Sequence, residues 1–125
     1  MLVTEQEVED LRKFVSQLNS QKKSPIIVEG KRDAAALRKL GLSGKVLQFH
    51  KFGGMVNFAD SVAKYDQIII LFDGDRKGRY LTGKTIQLLQ RRTKVDLTYK
   101  QKLNAITKGK IRFIEQLICY ESYIV

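Results

Sequence analysis

Apolar residues recur along the chain in two patterns, one typical of helices and one typical of buried strands. Intervals of three and four predict an amphipathic helix over residues 5–20, where Thr4 and Glu7 have capping-box spacing. The β-branched run at residues 26–29 is too short for a helix and predicts a buried strand. The same patterns predict further strands at residues 46–49, 68–72 and 95–97, and helices at residues 32–40, 55–64, 79–92 and 98–108. Strands that alternate with helices in this way predict an α/β sandwich with a parallel sheet.

The C-terminal segment is less clearly patterned. Residues 111–118 suit either a strand or a helix, and we favour a helix over residues 113–122. The apolar tail at residues 123–125 fits an edge strand, a packed terminus or an oligomer contact. Of these three we favour packing against the core.

Composition and charge narrow the class of protein. The chain has 125 residues with 23 Lys and Arg against 13 Asp and Glu, a net charge of +10 that favours polyanionic partners such as nucleic acid. With one cysteine, Cys119, no internal disulfide can form, which predicts a reducing, cytoplasmic environment. The N-terminal sequence lacks the pattern of a secretory signal, and the longest apolar run, residues 68–72, is too short to span a bilayer. We therefore expect a soluble protein with no membrane partner.

Carboxylates follow two of the predicted strands. Glu29 closes the first strand, and Asp73 and Asp75 follow the most apolar one. Ligands of open α/β sheets bind beyond the carboxyl ends of the strands, so these three side chains are candidates for an Mg²⁺ site. The alternative is that the two aspartates are turn and helix-cap residues, and that Glu29 is a solvated strand end.

Basic residues flank these acids in sequence. Lys31 and Arg32 follow Glu29, while Arg76, Lys77 and Arg79 follow the two aspartates. Cations beside a metal site favour binding of a phosphate group, and phosphodiester chemistry needs a divalent ion and at times a general base. Ion pairing between neighbours is the simpler alternative, but surface pairs contribute only about 0–1 kcal/mol.

Two sequence segments stand out, Ile-Val-Glu-Gly-Lys-Arg-Asp at residues 27–33 and Ile-Leu-Phe-Asp-Gly-Asp-Arg-Lys-Gly at residues 70–78. Together they resemble the Toprim domain. That family pairs a Glu-Gly after its first strand with Asp-x-Asp-x-x-Gly after a later one. It occurs in topoisomerases, bacterial primases, overcoming-lysogenization-defect nucleases and ribosomal RNA maturation ribonucleases, and the Glu-Gly-Lys-x-Asp form is most similar to the maturation enzymes. The resemblance covers residues 24–96 and extends less specifically to residues 114–117, as in small stand-alone archaeal Toprim proteins.

The resemblance implies a role for each matching residue. Glu29 would be a general acid or base and a metal ligand, and Asp73 and Asp75 would hold Mg²⁺, for which Mn²⁺ could substitute. Lys31 would contact the scissile phosphate or balance the charge of Glu29. Asp33 would support the ion through water or cap the following helix. The resemblance also implies that Gly30 and Gly78 allow tight turns near phosphate.

The same resemblance implies a Toprim-like, Rossmann-like three-layer sandwich with a central, mainly parallel four-stranded sheet flanked by helices. Residues 1–125 would form one such domain, with an N-terminal helix at residues 5–20, the core at residues 24–96 and a C-terminal helical extension at residues 97–125. Without the tyrosine-bearing domain of topoisomerases or the zinc-binding portion of primases, the chain cannot be a whole enzyme of either kind.

Three further sequence features bear on the function. Residues 78–85 match the P-loop pattern of nucleotide-binding proteins, but they do not directly follow a strand, which argues against a P-loop. The segment from residue 76 to residue 112 holds twelve basic residues and one acid, Asp96, and Arg91 and Arg92 within it are candidates for binding nucleic acid. The one histidine, His50, follows a predicted strand and is a candidate for the rim of the site.

The function we predict is an Mg²⁺-dependent action on nucleic-acid phosphodiesters, as a small nuclease or RNA-processing factor. The alternative is a non-catalytic, Mg²⁺-dependent nucleic-acid-binding or adaptor module of a larger complex. An NTP-binding protein ranks last. The partner would be RNA or DNA, and a homodimer or a partner within a processing complex stays open.

Overall fold

The computed structural model of the protein describes residues 3–124. Its strands are β1 (Ile26–Val28), β2 (Val46–Gln48), β3 (Gln67–Ile70) and β4 (Lys94–Asp96). Its α-helices are α1 (Glu5–Asn19), α2 (Lys31–Lys39), α3 (Met55–Val62), α4 (Arg76–Leu89), α5 (Thr98–Ile106) and α6 (Glu121–Ile124), and two 3₁₀ helices span Phe49–Lys51 and Ile114–Tyr120.

The four strands form one parallel sheet in the order β2-β1-β3-β4. In this order β1 lies between β2 and β3, with Ile27 paired to Leu47 on one side and to Ile70 on the other. The parallel strands are joined by helices, as parallel connections require. The predicted α/β fold with a four-stranded sheet is confirmed.

Apolar side chains on the two faces of the sheet form two separate cores. Ile26 and Val28 face a core shared with α1, α2, α5 and the C-terminal 3₁₀ helix, whereas Ile27 faces a core shared with α3 and α4. Successive strand residues point to opposite faces, so a continuous apolar run serves both cores. The result is the predicted three-layer arrangement of helices, sheet and helices.

Helix α4 begins three residues earlier than the pattern predicted. The predicted start was residue 79, but Asp75 occupies the N-cap position and its Oδ1 accepts a hydrogen bond from Gly78 N at 2.8 Å. The first turn of α4 therefore contains Arg76, Lys77 and Gly78, which precede the predicted start. A capped helix start satisfies backbone donors that a loop would leave to solvent.

The C-terminal segment is helical, as predicted for residues 113–122: a 3₁₀ helix over Ile114–Tyr120 is followed directly by α6. Ile111, Ile114, Leu117 and Tyr120 are all buried, and they are spaced three residues apart. Three residues per turn is the 3₁₀ period, so this spacing places Ile114, Leu117 and Tyr120 on one face of the helix, which packs against α2. The side chain of Gln116 supports the start of this helix, because its Oε1 accepts from the N–H groups of residues 112 and 113.

For the apolar tail, the favoured prediction is packing against the core. Residues 123 and 124 belong to α6, where Ile124 packs against the core and Tyr123 O accepts a hydrogen bond from Arg12 at 3.0 Å. These two residues therefore do not form an edge strand. Val125 lies outside the described residues.

A buried polar cluster ties the C-terminal segment to α1. Glu7 is 2% exposed, and its carboxylate accepts two hydrogen bonds of 2.7 Å from Lys110 Nζ and one of 3.0 Å from Tyr120 OH. The Lys110 ammonium, followed by Tyr120 OH, lowers the pKa of Glu7 despite its burial. Because the partners are 103 and 113 residues apart in sequence, the cluster closes the fold around the sheet.

No helix within residues 3–124 is both long and apolar enough to cross a membrane.

Candidate functional site

The parallel pairing of β1 and β3 brings the predicted carboxylates together. Leu71 N donates to Ile27 O at 2.8 Å, and two residues further along, Asp73 N donates to the side-chain Oε2 of Glu29 at 2.7 Å. The hydrogen-bonding pattern of the ladder is thus continued by a side chain beyond the end of β1. Residues 44 positions apart in sequence therefore meet at the carboxyl edge of the sheet.

A cavity of about 410 Å³ opens at this edge, and we call it the acidic pocket. Glu29, Asp33, Asp73, Asp75 and Glu115 provide its carboxylates. The remaining lining residues are Gly30, Lys31, Arg32, His50 and Lys77. All three predicted metal ligands line this one pocket, and His50 also lies there as an exposed residue.

Backbone N–H groups hold the three predicted ligands in place. Glu29 accepts from Asp73 N, Asp73 Oδ1 accepts from Ile114 N at 2.7 Å, and Asp75 Oδ1 accepts from Gly78 N at 2.8 Å. Each bond engages one oxygen, and a carboxylate has a second oxygen with which to bind a cation. Asp75 therefore caps α4, as the alternative interpretation held, and still lines the pocket.

Glu29 is buried, with only 5% of its surface exposed, so the alternative of a solvated strand end is wrong. Burial, together with the negative charges of Asp73 and Asp75, raises the pKa of Glu29 to about 7, against the opposing effect of the hydrogen bond from the Asp73 N–H. A carboxyl group with a pKa near neutrality can both accept and release a proton under physiological conditions. This is the property required of a general acid or base.

Asp33 is buried beside Glu29 and caps α2. Its Oδ2 accepts from Gly30 N at 3.2 Å, so the capping role is observed. Burial, followed by the charge of Asp73, raises the pKa of Asp33. Glu115 reaches the pocket from the C-terminal 3₁₀ helix, and sequence analysis did not identify it as a pocket residue because nothing in its local pattern places that helix beside β1.

The two glycines differ in their positions: Gly78 lies inside a helix and not in the predicted tight turn, whereas Gly30 lies in the bend between β1 and α2. Gly78 lies in the first turn of α4, where an added Cβ would lie 1.9 Å from the carbonyl oxygen of Asp73. At Gly30 the backbone is extended, with φ of −149°, and an added Cβ would lie 2.9 Å from Nδ1 of His50. Gly78 thus allows α4 to approach the loop that carries Asp73.

The pocket fits a hydrated divalent cation better than a closed metal centre. Among the described residues, no three His, Cys, Asp or Glu side chains are arranged as a ready-made metal centre. Mg²⁺ keeps several waters and takes one or two carboxylates together with substrate oxygens. Glu29, Asp73 and Asp75 offer hard oxygen donors of this kind, and the charges of the two aspartates add to burial in raising the pKa of Glu29, a repulsion that a cation would offset.

The predicted phosphate-binding residues divide into three groups. Lys31, Arg32 and Lys77 line the acidic pocket. Arg76 is exposed in the first turn of α4 and Arg79 lines a neighbouring cavity.

Arg91 and Arg92, by contrast, follow the far end of α4. That helix runs from the carboxyl edge of the sheet back to the amino edge, so both arginines are remote from the pocket. Arg92 there forms an ion pair of 3.1 Å with Asp60. Arg91 and Arg92 therefore lie apart from the carboxylates, and their binding of nucleic acid stays a prediction.

The P-loop match at residues 78–85 lies wholly within α4. A helix has no free loop of N–H groups to surround a phosphate, and Thr85 is fully buried with its hydroxyl donating to Leu81 O at 2.8 Å. The NTP-binding interpretation is therefore wrong. The basic segment around it is not one face either, because Lys110 is tied to Glu7 and Lys100 has a buried Nζ.

The sheet order, the carboxylates after β1 and β3, and the glycine against Asp73 together define a class of protein. The Toprim domain model matches residues 24–116, and the chain belongs to the Toprim family. Proteins of this family are generally associated with metal binding and with nucleic acid.

The relatives of the chain are small archaeal proteins. It is 36% identical over 114 residues to a UPF0292 protein of Thermococcus sibiricus, an alignment that spans 90% of this chain and 83% of the relative. A UPF0292 protein of Methanosarcina barkeri is 33% identical over 120 residues, covering 92% of this chain and 82% of the relative. Among solved structures, a protein from Aquifex aeolicus superimposes with a TM-score of 0.69 at 27% identity, covering 85% of this chain and 96% of that one.

Proposed function

We propose that the protein is an Mg²⁺-dependent nuclease or RNA-processing enzyme that cleaves nucleic-acid phosphodiesters at the acidic pocket. The observation that carries the proposal is the meeting of Glu29 with Asp73 and Asp75 in one pocket that Lys31 and Lys77 also line. Carboxylates for a divalent ion, cations for a phosphate and a group of near-neutral pKa are the components that phosphodiester hydrolysis requires.

Each residue has a specific role in this proposal. Asp73 and Asp75 would hold Mg²⁺, which when bound would neutralise charge on the phosphoryl oxygens. Glu29 would take the proton from the attacking water or return it to the leaving oxygen, because its pKa of about 7 supports both directions near neutral pH. Lys31 and Lys77 would bind phosphate oxygens at the exposed side of the pocket.

The charge of the whole chain supports a polyanionic substrate. The net charge is +10, even though the pocket itself is lined by five carboxylates and three basic residues. Positive charge around a locally acidic site attracts a phosphate backbone, and the acidic site then requires a cation before the phosphate can enter.

The test is a cleavage assay on end-labelled single-stranded, duplex and structured RNA and DNA with Mg²⁺, Mn²⁺ or EDTA. We expect products with the wild type in Mg²⁺ or Mn²⁺, none in EDTA, and at least about a hundredfold slower cleavage by Asp73→Asn and Asp75→Asn proteins. Both substitutions keep an oxygen that accepts the backbone hydrogen bond, and asparagine is a good N-cap, so both proteins should fold.

Asp66→Asn is the matched control. Asp66 is an exposed aspartate immediately before β3, at the amino edge of the sheet and away from the pocket. Its substitution removes the same charge and should leave cleavage unchanged. Equal loss in the control and the pocket variants, or cleavage that persists in EDTA, would contradict the proposal.

A second candidate function is a non-catalytic, Mg²⁺-dependent nucleic-acid-binding or adaptor module. It is favoured by the net charge of +10, which attracts a phosphate backbone whether or not the strand is then cleaved. Glu29→Gln separates the two functions. Loss of cleavage with binding retained supports the enzyme, whereas a wild type that retards oligonucleotides on a gel without cutting them supports the binding module.

A further inference from the structure

A second cavity of about 410 Å³ lies beside the acidic pocket, and Asp73 lines both. Ile70, Phe72 and Leu97 contribute apolar side chains to this second cavity, which we call the basic cavity. Its polar lining comes from α4 and α5 and includes Arg79, Lys100, Gln101 and Asn104.

The two cavities differ in the charge of their linings. Five carboxylates and three basic side chains line the acidic pocket, whereas two basic side chains and only Asp73 as an acid line the basic cavity. Positive charge prevails in the basic cavity and negative charge in the acidic pocket. A cation is therefore favoured on one side of Asp73 and an anion on the other.

Lys100 brings a buried, unsatisfied hydrogen-bond donor to the basic cavity. Its Nζ is buried from solvent, and it is the only buried side-chain nitrogen or oxygen within residues 3–124 that lacks a hydrogen-bond partner. An ammonium group has three N–H donors, and burying them unpaired is costly. The Nζ lies 4.0 Å from the point that a Cβ on Gly74 would occupy, beside the loop that carries Asp73 and Asp75.

We propose that the basic cavity is a phosphate subsite, in which Lys100 and Arg79 bind the phosphate of a nucleic-acid strand next to the one at the acidic pocket. The position of the nucleic-acid strand in this assignment rests on the proposed function. Lys100 supplies a buried point charge and Arg79 an exposed guanidinium that can bind two phosphate oxygens. The side-chain amides of Gln101 and Asn104 offer further donors at the exposed side.

The test measures binding in EDTA, so that it does not depend on cleavage. The probes are inorganic phosphate, followed by amide shifts in ¹⁵N NMR spectra, and fluorescein-labelled single-stranded RNA and DNA oligonucleotides, followed by anisotropy. We expect Lys100→Met to weaken binding of inorganic phosphate and of at least one oligonucleotide by about tenfold, the loss of one charge-assisted hydrogen-bonded contact. Lys102→Met removes the same charge from an exposed position on α5 and should weaken phosphate binding by less than about twofold.

Asn104→Asp keeps the proposal testable if Lys100→Met does not fold. It adds a negative charge at the exposed rim of the cavity and should also weaken phosphate binding, without removing a buried group. If Lys100 is only a counter-ion for the carboxylates, Lys100→Met would leave phosphate and oligonucleotide binding unchanged and would strengthen Mg²⁺ binding, which would overturn the subsite. Binding of inorganic phosphate that depends on Lys100, together with oligonucleotide binding that does not, would overturn its assignment to a nucleic-acid strand.

These outcomes are independent of those for the proposed function. If the wild-type protein binds phosphate and an oligonucleotide through Lys100 but does not cleave, the subsite is supported and the nuclease proposal is contradicted. If the wild-type protein cleaves, and Lys100→Met changes neither KM nor phosphate binding, the nuclease proposal is supported and the subsite is contradicted.

Discussion

Replacing Glu29 by glutamine is expected to stabilise the metal-free protein above neutral pH while abolishing its proposed catalysis. Glutamine has the shape of protonated glutamate, and its amide oxygen can still accept the hydrogen bond from Asp73 N. What the substitution removes is a negative charge that is buried beside two other carboxylates. The same residue would thus reduce stability and provide function.

The sign and size of the effect follow from the pKa of Glu29, which is raised from 4.5 to about 7 in the folded protein. The folded state holds this proton more tightly than the unfolded state, so the associated stability is fully present below pH 4.5 and is lost as the pH rises to about 7. A displacement of this size corresponds to at most about 3 kcal/mol. Part of it comes from neighbouring charges that solvent screens, so we expect about 1–3 kcal/mol.

The assay is urea unfolding followed by circular dichroism in EDTA, at several pH values between 4.5 and 8. The unfolding free energy of the wild type should fall across this range relative to that of Glu29→Gln, and the difference should be greatest at pH 8. Glu115→Gln is the control, because Glu115 lines the same pocket but is exposed. Parallel pH profiles for the wild type and Glu29→Gln would refute the view that burial controls this carboxyl group.

Two further substitutions test the packing around the site and the closure of the fold. Gly78→Ala should destabilise the protein by about 1–3 kcal/mol, because its Cβ would clash with the carbonyl oxygen of Asp73. Gly83→Ala should stabilise the same helix by about 0.5–1 kcal/mol, because a Cβ at Gly83 would have no neighbouring atom within 4 Å. Equal effects of the two substitutions in thermal unfolding would count against the clash. Glu7→Gln should cost about 3 kcal/mol at pH 7 in urea unfolding, against little change for the exposed Glu5→Gln. Because the pKa of Glu7 is lowered, its contribution should be lost as the pH falls below 4.5, and a cost that persists unchanged in acid would argue against the ion pair.

The regular elements were accessible from sequence because their signals are local. The helical spacing in α1 marks the face of that helix that must be buried, and the β-branched run at residues 26–29 marks a strand that is buried on both sides. The start of α4 was misplaced because Arg76, Lys77 and Gly78 have the polar, glycine-containing composition of a loop. Their helical state depends on the Asp75 cap and on the close approach of Gly78 to Asp73, which are contacts and not propensities.

The C-terminal 3₁₀ helix shows where the sequence predicted a helix but not the kind of helix. Apolar residues from Ile111 to Tyr120 recur at every third position, which is the 3₁₀ repeat. Such helices are usually short, and this one is stabilised by packing against α2 and by the hydrogen bond from Tyr120 OH to Glu7. Its position also explains why Glu115 was not identified as a pocket residue.

By itself, the sequence determined the parallel α/β plan and the gathering of Glu29, Asp73 and Asp75, because strand ends in a parallel sheet share one edge whatever the details of packing. Only the tertiary structure decided the state of these groups. The pKa of Glu29 depends on how deeply it is buried, and the unpartnered position of Lys100 depends on how α5 packs beside the loop at Asp73. Burial and electrostatic fields are sums over neighbours that are distant in the chain, so no local pattern of residues can report them.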